Sequence, residues 1–398
     1  MTQTADFIIV GGGVTGLLSA LFLQELTGAK VVLLERHYMG SGQSHRAAGV
    51  CRALVREPAV AKALSESLCY FKTFSERFDE ELLVHAAGYL LLAEPQQIES
   101  IEEAMAAAGE AGCEAQKIDS REAAELQPGL REDDQTLYVF EPGAIHLDPM
   151  PTLQAIRRLA QRRGVKIMEG CEVNDILLSG DEVCGVESSC GRFHGPQILM
   201  ASSFWGARQL SLLGVDLPVY SHRAEMAFFQ VPSKTTFSLR RILSDARSLL
   251  YLRPEGDQQM FVGRRESDRI ESLSDMESQD PDQYKQTAEF ESVVDIHRRL
   301  EITLPPMQEG FVHRTYACVY DMTPDSMPVL DQASSIKGLY FSVGFSGGGF
   351  SLSPWVGRAM AEFMVHQKRP AQIDGFDSNR FAEGRSFDWS NVARTSSS

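Results

Sequence analysis

A glycine-rich turn near the start of the chain has the spacing of a site for a phosphate-bearing ligand. Gly11, Gly13 and Gly16 follow the apolar run at residues 8–10 in the pattern G-x-G-x-x-G. In such turns the first glycine permits a tight bend, the second lets a pyrophosphate approach the backbone, and the third lets a helix pack closely on the strand. The helix that follows presents free N–H groups to the phosphates. Glu35 ends the next apolar run and could accept both hydroxyls of an adenosine ribose, so this unit predicts a dinucleotide site.

A second glycine-rich turn lies near the other end of the chain. Residues 339–344 form an apolar strand candidate, and Gly347, Gly348 and Gly349 follow it ahead of a predicted helix. This arrangement provides a second set of backbone donors for a ligand. Two such turns, separated by a β-rich stretch, are typical of a flavoprotein, because FAD is long and is buried by segments that are distant in sequence. A nicotinamide dehydrogenase of simple layout does not need the second turn.

Hydrophobic periodicity predicts the elements that position these turns. Helices are predicted over residues 58–78, 96–111, 122–126, 151–164, 290–304 and 354–366. Strands are predicted at 88–93, 165–168, 198–203 and 339–344, with a strand-like pattern across 219–263. The stretch 40–52 is small and glycine-rich, which is typical of a loop around a ligand. Residues 266–286 are acidic and polar, so we expect an exposed connection there, and the segment from Asp377 is expected to be mobile or bound to a partner.

Composition limits the classes of function. The 398 residues, 43% of them hydrophobic, can form two domains or one elaborate α/β domain. A formal charge of −16 argues against nucleic acid or an anionic membrane as a main partner. No apolar run reaches the length of a membrane span and no signal core is recognised, so we expect a cytoplasmic protein. The seven cysteines form no C-x-x-C pair and no metal-finger spacing, and no metal site is expected.

Two further blocks carry a resemblance to a known family. Residues 320–330 read Tyr-Asp-Met-Thr-Pro-Asp-Ser-Met-Pro-Val-Leu, and residues 344–350 read Gly-Phe-Ser-Gly-Gly-Gly-Phe. Residues 6–368 resemble the FAD-dependent amino-acid and amine oxidoreductases. The resemblance rests on these two blocks, the N-terminal turn, the loop at 40–52 and the turn-rich segment at 143–149. That family includes D-amino-acid oxidase, glycine oxidase and the sarcosine oxidases, and the chain looks closest to the sarcosine oxidase β-like and deaminating-dehydrogenase branch.

The resemblance implies an α/β fold, in which a β-sheet-rich substrate domain is inserted into a Rossmann-like FAD-binding domain. We expect the FAD-binding domain to comprise residues 1–80, 143–218 and 312–370. The substrate or cap domain would comprise 81–142 and 219–311, followed by a C-terminal tail at 371–398. The residues expected to contact FAD are Gly11, Gly13, Val14, Thr15, Gly16, Glu35, Arg36, Ser41, Gly42, Ser44, His45, Arg46, Ala47, Val173, Ala201, Trp205, Cys318, Asp321, Gly347, Gly348, Gly349 and Phe350.

The resemblance also implies a reaction. The flavin would take a hydride equivalent from the carbon next to an amine, and the resulting imine would hydrolyse. An arginine suits a substrate carboxylate because its planar fork pairs with both oxygens. Arg52 matches a substrate-binding arginine of the sarcosine oxidases and is the first candidate, with a contact to the FAD phosphates or a surface ion pair as alternatives. Weaker candidates, for which a structural hydrogen bond is the alternative, are His45, Arg223, Tyr251 and Arg314.

Two positions leave the finer chemistry open. The spacing from Cys318 to the Thr-Pro-Asp block matches monomeric sarcosine oxidase, in which the cysteine forms a thioether to the flavin. Other family members often have glycine there with free flavin, and a buried structural cysteine is the alternative. The sarcosine oxidases also place a lysine just after the final glycine turn, where this chain has Ser351. The electron acceptor is therefore either O2 or another compound.

Other kinds of protein share these features. The chain could be the flavin-bearing subunit of a multi-subunit amine dehydrogenase or oxidase, with its acidic surface and tail as docking features. It could also be a binding protein that retains FAD without turnover, although the intact glycine turns and Glu35 argue against loss of the cofactor. The expected partners are a small amine or amino acid and an electron acceptor, and both homo- and hetero-oligomers are open.

Overall fold

The computed structural model describes residues 3–232, 237–264 and 283–387. In chain order its strands are β1 (Gln3–Thr4), β2 (Phe7–Val10), β3 (Val31–Leu34), β4 (Val50–Cys51), β5 (Val84–His85), β6 (Tyr89–Ala93), β7 (Gln116–Ile118), β8 (Leu137–Glu141), β9 (Ile145–Leu147), β10 (Lys166–Met168), β11 (Val173–Ser179), β12 (Glu182–Ser188), β13 (Gly191–His194), β14 (Ile198–Met200), β15 (Tyr220–Gln230), β16 (Ile242–Asp245), β17 (Leu250–Glu255), β18 (Gln259–Arg264), β19 (Phe311–Met322), β20 (Val329–Gln332) and β21 (Leu339–Val343). Its α-helices are α1 (Val14–Thr27), α2 (Pro58–Lys72), α3 (Phe74–Arg77), α4 (Ile98–Glu110), α5 (Ser120–Leu126), α6 (Pro149–Arg162), α7 (Ser203–Leu212), α8 (Phe290–Thr303) and α9 (Gly349–His366).

A six-stranded sheet brings the two glycine-rich turns together. Its strand order is β10-β3-β2-β14-β21-β20, with parallel pairing from β10 to β21 and an antiparallel β20. Strands β2, β3 and β21 are buried at every position, as in a parallel sheet covered on both faces. Because β2, β14 and β21 are parallel neighbours, their carboxyl ends meet at one edge, which is where open α/β sheets bind ligands.

Helices α1 and α9 cover one face of this sheet and pack directly on each other. Their approach is so close that a Cβ on Gly357 would lie 2.9 Å from the Cβ of Leu18. Residues 14–23 of α1 are all buried, which follows from its position between the sheet and α9. Each glycine-rich turn is therefore followed by a helix, α1 or α9, that is packed in the hydrophobic core.

An eight-stranded sheet forms the second large layer, in the order β19-β15-β18-β17-β16-β6-β8-β7. Helix α8 packs on it, and Ile296 and Leu300 join a core with Phe229 and Leu252 of the sheet. The division into an FAD-binding and a substrate domain remains our proposal. Residues 312–322, which we expect in the FAD-binding domain, lie in β19, and this strand pairs with β15 of the eight-stranded sheet.

Three helices begin earlier than the sequence predicted, and α5 is the first of them, since it starts at Ser120 instead of 122. Helix α6 starts at Pro149 instead of 151, with the proline at the first helical position. Helix α9 starts at Gly349 instead of 354, and Pro354 lies inside it. A proline within a helix removes one backbone donor. The hydroxyl of Ser353 compensates by donating to the carbonyl of Phe350 at 2.7 Å, so the helix continues through the proline.

The segment after α9 is packed where the sequence led us to expect a mobile or partner-bound tail. Ile373, Phe376 and Arg380 are fully or almost fully buried. Arg380 reaches Asp325, whose carboxylate oxygen lies 2.8 Å from its Nε. Part of the segment up to residue 387 is therefore packed on the fold, and residues 388–398 lie outside the described part of the chain.

Two other expectations concern surface properties. Residues 266–282 of the predicted acidic connection lie outside the described ranges, whereas the helix expected after it is present as α8. Across the described ranges, no helix combines the length and the apolar character needed to span a bilayer.

Candidate active site

The N-terminal turn forms a cradle with room for a phosphate. Gly11 has φ +115°, and a Cβ there would lie 2.5 Å from the carbonyl oxygen of Ala201. A Cβ on Gly13 would meet only the hydroxyl of Ser44, at 3.1 Å. No side chain caps α1 at Gly13, and the Ser44 Oγ accepts a hydrogen bond from the N–H of Val14 at 2.9 Å. The helix start thus faces open space and carries the partial positive charge that attracts anions.

Glu35 lies at the other side of this cradle, on the wall of the same cavity. One carboxylate oxygen accepts from the N–H of Gly12 at 2.7 Å, and the other accepts from the N–H of His37 at 2.9 Å and the hydroxyl of Ser41 at 3.0 Å. These donors fix the orientation of the carboxylate. Two carboxylate oxygens offer about four acceptor sites, so capacity remains for a ribose hydroxyl.

Buried polar atoms next to the cradle have no protein partner. Neither the indole Nε1 of Trp205 nor the hydroxyl of Ser202 has a hydrogen-bond partner among the described residues, and both side chains line the cavity. Buried polar groups are nearly always satisfied. The Arg36 guanidinium lies 5.0 Å from the ring centroid of Trp205, which places a cation and an aromatic plane beside the same space. These unsatisfied donors fit a polar ligand such as the adenosine end of FAD.

The C-terminal turn forms the opposite wall. Gly347, Gly348 and Gly349 line the cavity at the start of α9. Asp321, at the end of β19, accepts a hydrogen bond from the N–H of Gly344 at 2.8 Å. Burial raises the pKa of this carboxyl to about 6 in spite of its hydrogen bonds. The aspartate therefore ties the glycine turn to the eight-stranded sheet, where the two layers meet.

The cavity between these walls has a volume of about 1830 Å³. Pockets for drug-sized ligands range from roughly 300 to 1,000 Å³, so this one can hold a dinucleotide together with a small substrate. It extends from Glu35 and the two turns to a group of larger side chains from the substrate sheet and the loop at 40–52. That group comprises Arg52, Tyr89, Arg223, Tyr251 and Tyr320.

A buried acid, Glu141, holds the backbone next to Arg52. The Arg52 guanidinium lies 4.8 Å from the ring centroid of Tyr89 and donates to the carbonyl of Leu54. The carboxylate of Glu141 accepts from the N–H groups of Ala53 at 2.8 Å and Leu54 at 3.0 Å. Burial raises the pKa of Glu141, although those N–H groups and the nearby Arg52 charge counteract it. Glu141 thus holds the backbone that follows Arg52 and keeps the guanidinium at the cavity wall.

The comparison with protein families decides the class of this protein. The family described as "DAO: FAD dependent oxidoreductase" matches residues 6–363. The chain belongs to this family. FAD is therefore its cofactor, and the cradle, the unsatisfied donors and the second glycine turn fit that group. The resemblance, the α/β fold and the enzyme class predicted from the sequence are confirmed.

Individual relatives of this oxidoreductase are distant. The chain is 25% identical to the human mitochondrial sarcosine dehydrogenase over 399 residues, which cover 96% of the chain but only 42% of that protein. It thus spans less than half of that relative. It is 24% identical to the Arthrobacter sarcosine oxidase subunit beta, covering 97% of the chain and 93% of the subunit. The crystal structure of L-proline dehydrogenase from P. horikoshii shares the fold, with a TM-score of 0.87, 22% identity, and coverage of 96% of this chain and 99% of that one.

The structure brings most of the predicted cofactor residues to the cavity wall. They are Gly11, Gly13, Val14, Thr15, Glu35, Arg36, Ser41, Gly42, Ser44, Arg46, Ala47, Val173, Ala201, Trp205, Asp321, Gly347, Gly348, Gly349 and Phe350. Gly16 lies behind the wall, where a Cβ would be 2.2 Å from the carbonyl oxygen of Gly11, so its role is close packing. Arg46 donates to the carbonyls of Ser41 at 2.9 Å and Gly42 at 2.8 Å and so shapes the loop.

Besides Gly16, three predicted site residues do not line the cavity. The Nδ1 of His45 lies 2.6 Å from the carbonyl oxygen of Gly40, and burial together with the Arg46 charge lowers the pKa of its ring. Arg314 is 57% exposed, and its Nη2 lies 3.5 Å from a carboxylate oxygen of Glu255. These two side chains have partners within the protein, and their roles at the substrate stay predictions. The third residue is Cys318.

Cys318 lies in a small apolar cluster with Met226, Phe228 and Phe261 and is not part of the cavity wall. Its sulfur lies 4.0 Å from the sulfur of Met226. Burial raises the pKa of the thiol to about 12, which disfavours the thiolate. The position of Cys318 beside the flavin ring and its thioether bond stay predictions from the resemblance.

Sequence reasoning missed the acid that braces Arg52. Glu141 follows the apolar run at 137–140 directly before a Pro-Gly turn. A single acid at the end of a buried strand was the available signal, but its partners, Ala53 and Leu54, lie in a distant part of the chain. Tyr89 was predicted within a strand and Tyr320 within the block that carries the resemblance, neither with a role of its own, and both form part of the cavity wall.

Proposed function

We infer that this enzyme oxidises the C–N bond of an amino acid or an N-alkyl amino acid. The bound FAD supplies the acceptor for a hydride from the carbon next to the nitrogen. Loss of that hydride and of the N–H proton turns the amine into an imine, and water cleaves the imine to an oxo acid or aldehyde and an amine. The observation that carries the proposal is the position of Arg52 on the wall of the FAD-binding cavity.

In this proposal Arg52 binds the substrate carboxylate. Its planar guanidinium can pair with both oxygens, and the Tyr89 ring 4.8 Å from it limits the directions in which it can point. Glu141 is a positioning residue that acts through the backbone of Ala53 and Leu54. With the carboxylate held at one end, the C–H bond next to the nitrogen is directed toward the cofactor.

The hydroxyl groups of Tyr251 and Tyr320 lie on the same cavity wall, 3.5 Å apart. Burial raises the pKa of Tyr320 well above its ordinary value, so its phenol stays protonated at neutral pH. A protonated hydroxyl can accept a hydrogen bond from a substrate N–H without drawing the amine into an ion pair. The reactive neutral amine is therefore compatible with this wall.

The names of the relatives support the substrate class. Sarcosine dehydrogenase and sarcosine oxidase subunit beta are both named for sarcosine, which combines a secondary amine with a carboxylate. A cavity that has an arginine at one end and phenolic hydroxyls on its wall fits the same two groups.

The test replaces the arginine and compares two substrates that differ only in the carboxylate. A hydrogen-bonded charge pair contributes about 1.5–3 kcal/mol, so Arg52→Ala should lower kcat/KM for an N-methyl amino acid about 10- to 150-fold. It should have little effect on the matching amine without a carboxylate. Arg56→Ala is the control, because Arg56 pairs with Glu103 at 2.7 Å outside the cavity. An equal loss for both substrates would show that Arg52 does not bind the carboxylate.

A second candidate function is that of a flavin-bearing subunit in a larger amine dehydrogenase or oxidase. The similarity to a protein named as a subunit, with 93% of that subunit covered, favours it. Ser351 donates to the carbonyl of Gly348 at 3.1 Å and supplies no cation near the cofactor, so an acceptor other than O2 fits this alternative. Native mass measurement in lysate separates the two candidates, and the rate of reoxidation by O2 against an artificial acceptor identifies the electron acceptor.

A further inference from the structure

A three-stranded sheet beside the active-site cavity carries two histidines and an aspartate close together. The sheet has the order β4-β9-β5, and His85 of β5 is the direct partner of His146 in β9. Their rings are stacked with centroids 4.4 Å apart. Asp148 follows β9 immediately, and one ligand atom from each of the three side chains lies within 4.8 Å of the other two.

One ring nitrogen of each histidine has no hydrogen bond within the described part of the chain. His146 is 4% exposed, and its Nδ1 has no hydrogen-bond partner among the described residues. The Nε2 of His85 is also buried without a hydrogen bond, and the nearest carboxylate oxygen of Asp148 is 3.5 Å away. Two adjacent buried nitrogens without partners call for an explanation, because such groups are normally satisfied.

The charged groups beside the cluster bear on how it could hold a cation. A histidine binds a metal through a neutral ring nitrogen, and the Asp148 carboxylate adds a negative charge. Arg253 does not neutralise Asp148 completely, since it lies 4.0 Å from that carboxylate and 2.5 Å from Glu255.

We propose that His85, His146 and Asp148 bind a first-row divalent cation such as Zn²⁺. Two imidazoles and one carboxylate form a ligand set of the kind found at zinc and non-haem iron sites, and water would complete the coordination. The sequence predicted no metal site, because His85 lies far from the other two ligands along the chain and only the strand pairing brings it to them.

Metal binding requires a local movement of one ligand, and the structure indicates which ligand moves. At zinc–nitrogen distances of about 2.0–2.1 Å, a tetrahedral site places two ligand nitrogens about 3.3 Å apart. His146 lies in the central strand of the three, whereas His85 lies in a two-residue edge strand and its side chain is 37% exposed. His85 is therefore the ligand expected to move. Because Val50 pairs with His146 and lines the cavity, the cation would stabilise the strand that leads to Arg52.

The test uses the FAD-loaded enzyme after treatment with a chelator and measures Zn²⁺ binding by equilibrium dialysis. Wild type should bind zinc stoichiometrically and gain thermal stability. Loss of an outer-shell partner costs about 10- to 100-fold in metal affinity, so loss of a ligand in His85→Ala or Asp148→Asn should cost at least tenfold. His194→Ala is the control, since His194 is a partly buried histidine in a different sheet.

A second measurement keeps the test decisive if a variant is unstable. Co²⁺ in place of Zn²⁺ should give visible bands without thiolate charge-transfer absorption, which excludes the cysteines as ligands. His85→Ala removes a partly exposed side chain, so it is the variant expected to remain folded. Absence of stoichiometric binding in wild type, affinity that persists in His85→Ala and Asp148→Asn, or an equal loss in His194→Ala overturns the proposal.

Discussion

The C-terminal segment holds a turn of the FAD site through a buried ion pair, and Arg380→Met should expose how much this contact stabilises the fold. The Arg380 side chain is 0% exposed and that of Asp325 is 1% exposed. Two guanidinium nitrogens lie 2.8 Å and 3.0 Å from the two oxygens of Asp325. The same guanidinium donates to the carbonyl of Met327 at 2.8 Å. Ser326 and Met327 line the cavity, so the contact connects the tail to the cofactor site.

The magnitude follows from the burial of both partners. Removing one member of a buried pair costs about 3–5 kcal/mol, because the other charge is left without compensation. The entropy of unfolding is about 2.1 cal/mol/K per residue, or roughly 0.8 kcal/mol/K for 398 residues. Arg380→Met should therefore lower Tm by about 4–6 °C. The double variant Arg380→Met/Asp325→Asn should recover part of the loss, since Asn can still accept from the N–H of Met327.

The assay is thermal unfolding of the FAD-loaded protein followed by circular dichroism. Arg385→Met is the matched control, because Arg385 is 45% exposed in its pair with Asp377 at 3.0 Å and pairs at the surface contribute at most about 1 kcal/mol. Burial raises the pKa of Asp325, but the hydrogen bonds and charge of Arg380 outweigh this and hold it below its ordinary value. The stability from the pair is therefore present above the unfolded pKa and is lost as pH falls below it. The reasoning is refuted if Arg380→Met lowers Tm no more than Arg385→Met, or if the difference from wild type does not shrink in acid.

Three further predictions concern the cavity wall. Gly13→Val should give folded but colourless protein. At φ −70° the backbone of residue 13 accepts a side chain, but that side chain occupies the phosphate space. Gly109→Val is the control and should stay yellow, because a Cβ at Gly109 meets no atom within 4 Å. Acid precipitation should release the flavin equally from wild type and Cys318→Ala, because the thiol lies off the cavity wall; colour that stays with the wild-type pellet alone would contradict this. Asp321 has its pKa raised to about 6, so the stability it contributes is complete below its unfolded pKa and is lost as pH rises through about 6. Asp321→Asn should accordingly gain Tm relative to wild type between pH 4 and 7, and parallel Tm curves would exclude the raised pKa.

Local patterns predicted the parts of the fold that depend on neighbouring residues. The β2–α1–β3 unit and its glycines follow from spacing, and the structure places Glu35 at the end of β3, where its carboxylate meets the N–H of Gly12. The sequence also indicated that the two glycine turns serve one ligand. In the structure each turn follows a strand of the same six-stranded sheet.

Contacts between distant residues could not be predicted in this way. Pro354 signals a helix start, but a hydroxyl from Ser353 replaces the missing donor and lets α9 continue. The pairing of Arg380 with Asp325 depends on how the chain returns after α9, which no local pattern records. Cys318 lies in a motif that suggests a flavin bond, yet the packing of its strand directs the sulfur to Met226.

The most direct test of the proposed reaction is anaerobic reduction of the bound flavin. Purified enzyme is mixed without O2 with an N-methyl amino acid, the matching amine and the matching 2-hydroxy acid, and the absorption of oxidised flavin is followed. We predict that the N-methyl amino acid bleaches the flavin fastest and that an aldehyde or oxo acid forms in equal amount. Bleaching by the hydroxy acid alone, or by none of the amines, would contradict oxidation at a C–N bond.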